Sequence, residues 1–221
     1  MRKLLGILIT GMVMIALGTA VIIVSHFVLG FDIYSLSTHT FETRDFDVTE
    51  EFQSIKVNVN TANVNLILSE DESCKVTCHV KETTTCKVVV EDGVLNISTE
   101  EEKGFASIDI SWDSQVVTIA LPKKTLGTIN IVTTTGDVLL SDVLSSEDVT
   151  VKTNTGDVSL KRCDAQTLYV KTNTGDVKAT LLSGKKFKVK TNTGDIDIPK
   201  DGDGGTCEIL TNTGDVQVEI K

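Results

Sequence analysis

The stretch KTNTGDV at residues 152–158 recurs letter for letter at 171–177. It returns as KTNTGDI at 190–196 and as TNTGDV at 211–216, with TTTGDV at 133–138 as an earlier relative. The glycines fall at Gly136, Gly156, Gly175, Gly194 and Gly214, spaced by 20, 19, 19 and 20 residues. A fixed period of this size marks a repeat architecture, in which each unit buries its apolar face on its neighbours.

Each repeat carries strand-like alternation on both sides of the glycine. Before the turn the inward positions are Ile129/Ile131, Val149/Val151, Leu168/Val170, Phe187/Val189 and Cys207/Ile209. After it they are Val138/Leu140, Val158/Leu160, Val177/Ala179, Ile196/Ile198 and Val216/Val218. All are apolar, and intervening residues such as Thr150, Lys152, Ser159, Lys178 and Gln217 are polar, as one-sided strands require. A meander of hairpins and a solenoid of stacked coils both fit this parity. Tight hairpins favour Asn-Gly or a leading glycine, whereas Thr-Gly places glycine second, where the strands splay. Stacked coils also explain why the turns match, since identical side chains then form ladders at about 4.8 Å. The expected fold is an all-β, single-domain β-solenoid of about 19–20 residues per coil. Its regular repeats cover 127–221. An echo, Asn60-Thr61-Ala62-Asn63-Val64, marks 55–68 as a degenerate rung, with 74–121 as an irregular region or cap. Other alternating runs lie at 64–68, 75–80, 86–90, 94–98, 107–111 and 116–121, with Asp92-Gly93 as a hairpin signal.

Within the corner, glycine supplies the bend. Asn154, Asn173, Asn192 and Asn212 are expected to stack, with Thr134 ending the row, while the hydroxyls of Thr153, Thr172, Thr191 and Thr211 satisfy backbone groups. Aspartate is less comfortable. Stacking aligns Asp137, Asp157, Asp176, Asp195 and Asp215, and carboxylates about 5 Å apart repel by roughly 0.8 kcal/mol even in water. Contacts to turn N–H groups, helped by Lys152, Lys171 and Lys190, are one offset. The other is a ligand, either a cation or a polymer laid along a row of acceptors. One acid per turn is too few for a calcium β-roll.

Residues 4–31 form a long apolar run behind Arg2 and Lys3, with only His26 as a titratable group. The run exceeds the roughly 20 residues that span a bilayer and the 7–15 of a cleaved secretory core. It reads as one N-terminal transmembrane helix, with 1–3 as a cytoplasmic stub, 32–50 as a linker and 51–221 as an extracytoplasmic domain. That placement leaves 19 basic against 31 acidic residues outside, a net charge of −12. Nucleic acid and anionic lipid need a basic footprint and are not expected partners. No metal or cofactor is expected. Of five cysteines, Cys74 and Cys78 are too far apart along one strand to bond, while Cys78–Cys86 across a turn is geometrically feasible. Cys74, Cys78, His79 and Cys86 lack recognised metal-ligand spacing. His39 and His79 sit in no nucleophile motif, and a repeat supplies copies of one carboxylate environment where an acid–base pair needs two. The chain does not read as an enzyme.

With VTIALP at 117–122 leading into 129–138 and then reiterated TNTGDV, residues 50–221 resemble the bacterial "putative adhesin" domain family of unknown function. The resemblance implies a β-solenoid at the bacterial envelope, behind one transmembrane segment, with no catalytic residues to carry over. The expected function is a membrane-tethered, non-catalytic binding or adhesion-like module. The expected place is the cell membrane, in single-pass topology with the N-terminus inside. Cell-wall polymer or another envelope protein is the expected partner, and the last coil leaves an edge for end-to-end self-association. An accessory or sensor of envelope-stress signalling is the alternative, and a carbohydrate-active enzyme ranks third.

Overall fold

A computed structural model describes residues 2–29, 40–70, 72–102, 111 and 113–221. The chain divides into two compact units, one holding the N-terminal helix and the other the strands.

Helix α1 (Arg2–Leu29) is continuous over 28 residues, about 42 Å at 1.5 Å per residue. It has no apolar stripe, for Met12, Met14, Ile15, Leu17, Val21 and Val24 are all exposed. Side chains are described in it only at 10–21, 23 and 24. Among the described residues no helix is long and apolar enough to cross a membrane. Of the span expected at 4–31, residues through Leu29 are helical, and residues 30–31, with the expected linker's residues 32–39, lie outside the described residues.

The second unit runs through β1 (Phe41–Val48), β2 (Ser54–Thr61), β3 (Asn63–Leu68), β4 (Cys74–Lys81), β5 (Thr84–Glu91) and β6 (Val94–Glu101). It continues with β7 (Val116–Leu121), β8 (Thr125–Leu126), β9 (Ile129–Thr135), β10 (Val138–Ser141), β11 (Leu144–Ser145) and β12 (Asp148–Lys152). Last come β13 (Val158–Cys163), β14 (Thr167–Lys171), β15 (Val177–Leu181), β16 (Lys186–Lys190), β17 (Ile196–Asp197), β18 (Thr206–Leu210) and β19 (Val216–Ile220). One sheet has the order β1-β4-β7-β3-β10-β13-β15-β19-β17 and another the order β16-β18-β14-β12-β9-β2-β6-β5, with β8 and β11 paired separately.

The repeats pair in parallel, so the solenoid reading holds. Val149 lies beside Ile129 and Leu168, and Val158 beside Val138 and Val177. Each coil contributes one strand to each sheet, and the inward residues meet in a core drawn entirely from this unit. Ile129, Ile131, Val151, Val158, Leu168, Val170 and Val177 are essentially inaccessible. The Asn60 echo is a true rung, since β2 and β3 pair with β9 and β10.

Three expectations change. First, the supposed linker 32–50 contains β1, an antiparallel edge strand on β4. Only Phe46 and Val48 of it pack on the core, so its apolar alternation is faint. Second, the region 74–121, expected as an irregular region or cap, forms regular strands within its described residues 74–102 and 113–121, and of the two readings the cap holds. β6 and β7 form another parallel coil outside β2 and β3, and β5 and β4 join antiparallel as the cap. Asp92 and Gly93 make its hairpin with φ of 51° and 73°. Residues 107–110 of one expected strand lie outside the described residues.

Third, the coils do not stack in chain order. The final coil, β18/β19, lies between β14/β15 and β16/β17. The open edge therefore belongs to 186–197, not to 215–221. There Phe187, Val189 and Ile198 are only partly buried and Ile196 is 44 % exposed, although parity places them inward. Connector 198–205 makes the exchange possible. Gly205, at φ 111°, lies so close to the residue preceding β14 that an added Cβ would stand 2.1 Å from the Gln166 carbonyl. Beside it, buried Lys185 donates to the carbonyls of Ala165 and Gly204 and to the Asp164 carboxylate. These partners compensate a desolvation that would otherwise expel the ammonium.

Candidate functional site

The sequence singles out the repeated corner, and the structure sets its glycines, threonines, asparagines and aspartates against the neighbouring rungs. Gly136, Gly156, Gly175, Gly194 and Gly214 have φ between 135° and 150°. A Cβ on Gly175 would lie 2.1 Å from the Gly156 carbonyl oxygen, and one on Gly214 would lie 2.0 Å from that of Gly175. Glycine is required by the closeness of the rungs as well as by the bend. Ala62 can replace it in the echo rung, where its own carbonyl receives Gly136.

Thr153 donates to the carbonyls of Gly136 and Thr155, and Thr172 to that of Gly156. Thr191 and Thr211 do the same for Gly214 and Gly175. Three of the four asparagine side chains are bonded in a row, in the exchanged order, while Asn154 meets Asn173 through its backbone carbonyl, which accepts the Asn173 N–H at 3.2 Å. Asn212 donates its amide to Asn173, and Asn192 donates to Asn212 at 3.2 Å. Thr134 ends the row by accepting the backbone N–H of Asn154.

The aspartates form a connected spine. Asn63 Oδ1 accepts the N–H of Asp137 at 2.8 Å, and Asp137 accepts that of Asp157 at 2.8 Å. Asp157 accepts from Asp176 at 2.7 Å, Asp176 from Asp215 at 2.9 Å and Asp215 from Asp195 at 2.8 Å. A hydrogen bond to a charged group contributes about 1.5–3 kcal/mol, against roughly 0.8 kcal/mol of repulsion between neighbours. The hydrogen bonds win, and four of the five carboxylates are committed to holding the next rung. Asp195 alone stands at the outer end.

Other polar groups are similarly engaged. His79 Nε2 lies 2.9 Å from Asp113 and its Nδ1 2.9 Å from the Thr43 hydroxyl, with Phe41 stacked on the ring. The hydrogen bond from His79 holds the Asp113 carboxyl below its ordinary range. His39 lies outside the described residues. Cys78 and Cys86 form a disulfide, whereas Cys74, Cys163 and Cys207 are free and buried. Burial pushes Cys74 and Cys163 up to about 11 and Cys207 to about 12, so all three stay protonated, poor nucleophiles and poor ligands. Among the described residues no group of three or more His, Cys, Asp or Glu side chains could hold a metal ion. A groove of about 620 Å³ is lined in part by Glu51, Asp92 and Lys124. The Lys124 ammonium there donates to the Phe52 carbonyl at 2.8 Å and covers its ring.

What the corners leave free is the outward face of the eight-stranded sheet. Its pairing aligns Val132, Lys152, Lys171, Leu210 and Lys190 in one row. The adjacent row holds Asn130, Thr150, Tyr169, Glu208 and Lys188. The sequence named three of these lysines only as neutralisers of the aspartates. Their assembly on one face needed the coil order to be seen.

Comparison with known proteins gives one family and a group of solved folds. The family model described as Toastrack DUF4097 matches residues 52–221. A structure named a putative cell adhesion protein, from Clostridium sporogenes, aligns over 82% of this chain and 100% of its own at 15% identity, with a TM-score of 0.58. That likeness is one of fold. A structure named a putative adhesin, from Bacteroides fragilis, aligns over 82% and 97% at 19% identity, with a TM-score of 0.38. No curated protein matches at a significant level.

Proposed function

The chain belongs to the Toastrack DUF4097 family, and on that premise we propose that it is a membrane-tethered, non-catalytic binding module of the bacterial cell surface. The observation that carries this reading is the spine itself. The repeated polar residues are spent on stacking rungs, which yields a stiff parallel solenoid with flat exposed faces. A face of that kind holds an extended partner at many weak points and offers no enclosed place for chemistry.

Tethering is part of the proposal. Helix α1 is apolar around its circumference, and Arg2 and Lys3 precede its apolar run, which favours a cytoplasmic N-terminus. The name of the structure similar in fold, putative cell adhesion protein, agrees with a surface role. Two measurements test the reading. A reporter enzyme active only outside the cytoplasm, fused after Lys221, is expected to be active. The full chain in detergent is expected to be retained by isolated bacterial cell wall. An inactive reporter would overturn the topology, and absence of retention at every salt and calcium level tried would overturn the binding role.

A further inference from the structure

Five exposed lysines gather on the outward face of the last four coils: Lys152, Lys171, Lys186, Lys188 and Lys190. Lys152 and Lys171 are direct neighbours, and Lys190 lies two strands beyond Lys171, with half-buried Leu210 between them. At about 4.8 Å per strand these steps measure roughly 5 and 10 Å. Half-buried Tyr169 sits at the centre, with the Lys152 ammonium 5.6 Å from its ring centroid. Asp148 and Glu208 stand on this quadrant, Glu208 is bound to Lys188 at 2.6 Å, and at its edge the Asp201 carboxylate accepts the Phe187 N–H at 3.0 Å. Among the described residues Lys152, Lys171 and Lys190 form no ion pair.

This cluster runs against the charge of the chain, which is −10 in all. Lysines on an open edge guard it from unwanted strand pairing, and that accounts for Lys186, Lys188 and Lys190. It does not account for Lys152 and Lys171, which lie on interior strands whose backbone is fully paired. We propose that this lysine face, centred on Tyr169, is the docking surface for a linear acidic polysaccharide. The assignment rests on the reading of the chain as an envelope-binding module and specifies its ligand.

Charge complementarity selects an anion, and the screening length of about 8 Å lets the patch act despite the acidic surroundings. The flat, row-like spacing selects an extended polymer over a compact anion. An aromatic ring with Thr150 beside it, Thr167 two residues along its own strand and Glu208, held by Lys188, on its other side suits a sugar, whose apolar face stacks and whose hydroxyls bond. A peptide strand would seek an unpaired backbone edge, which the centre of this face lacks.

The probe is polygalacturonate, with neutral dextran as control, titrated calorimetrically into the full chain in detergent. Polygalacturonate should bind, dextran should not, and affinity should fall between about 50 and 200 mM salt. The triple variant Lys152→Gln, Lys171→Gln, Lys190→Gln should bind about tenfold or more weakly, and Tyr169→Ala several-fold more weakly, with unfolding midpoints unchanged for the lysine variant. Absence of polygalacturonate binding, or equal binding by the triple variant, would overturn the assignment. Cell-wall retention separates the two levels. Equal retention of wild type and triple variant would refute the face and leave the binding module standing, whereas no retention of either would refute both.

Discussion

The carboxylate of Asp215 accepts the backbone N–H of Asp195 at 2.8 Å, although Asp195 comes first in the chain. The spine of the solenoid thus reads Asn63, Asp137, Asp157, Asp176, Asp215, Asp195, and direction along it is set by space instead of sequence. Every carboxylate but the outermost has a donor waiting on the next rung.

That polarity makes the aspartates unequal. Asp176→Ala removes the acceptor of the Asp215 N–H and should destabilise residues 40–221 by about 1 kcal/mol. Asp195→Ala removes an acceptor that holds no further rung and should stay within about 0.5 kcal/mol of wild type. Urea unfolding of the two variants checks the difference, and equal losses would contradict the spine.

The glycines should follow the same ranking for a different reason. A methyl on Gly175 would meet the Gly156 carbonyl at 2.1 Å, in a coil clamped on both sides. Clash and positive φ together should cost about 3 kcal/mol or more. Gly194→Ala meets the Gly214 carbonyl at 2.2 Å, but its coil is outermost and can lift away. Its loss of melting temperature should be clearly smaller.

How much of this the sequence discloses depends on which atoms carry it. Coil parity was legible because Val149, Val158, Leu168 and Val177 are side chains obeying a two-residue period. The partner of each aspartate was not, since the donor is a backbone N–H on another rung and leaves no trace in residue type. Coil order was hidden by the repeat's own fidelity, because near-identical rungs dock equally well in either order. A signal did exist: alternating Lys186, Lys188 and Lys190, with Pro199 just beyond β17, is the dress of an edge strand. The lysine face became visible only once that order placed Lys190 beyond Leu210.

The free thiols give a pH prediction. Burial raises Cys163 to about 11 and Cys207 to about 12, above the roughly 8.5 of an unfolded thiol. The folded state therefore holds these protons more tightly. Their contribution is fully present below about pH 8.5 and is lost as pH rises towards the folded values. Stability of wild type should decline from about pH 9 to 11 more steeply than that of a Cys163→Ala, Cys207→Ala variant. At pH 8 a thiol reagent should modify neither residue until the domain unfolds.

Truncation is the sharpest test of the exchanged coils. Removing 206–221 would merely trim an end if coils stacked in chain order, and the shortened solenoid should then melt a few degrees lower. In the observed order it extracts an interior layer. β16 loses β18, β17 loses β19, and these are their only strand partners among the described residues. Leu168, Val170, Val177 and Ala179 would also lose the layer stacked beside them. The connector 198–205 could not restore the contact, for Lys185 and the Gly205 approach to Gln166 orient it around the missing strand. Amide exchange should therefore show 186–197 unprotected in the truncated chain as well as weakened protection in β14 and β15. In the intact chain, the amides of β18 and β19 should outlast those of β16 and β17, despite lying nearer the C-terminus.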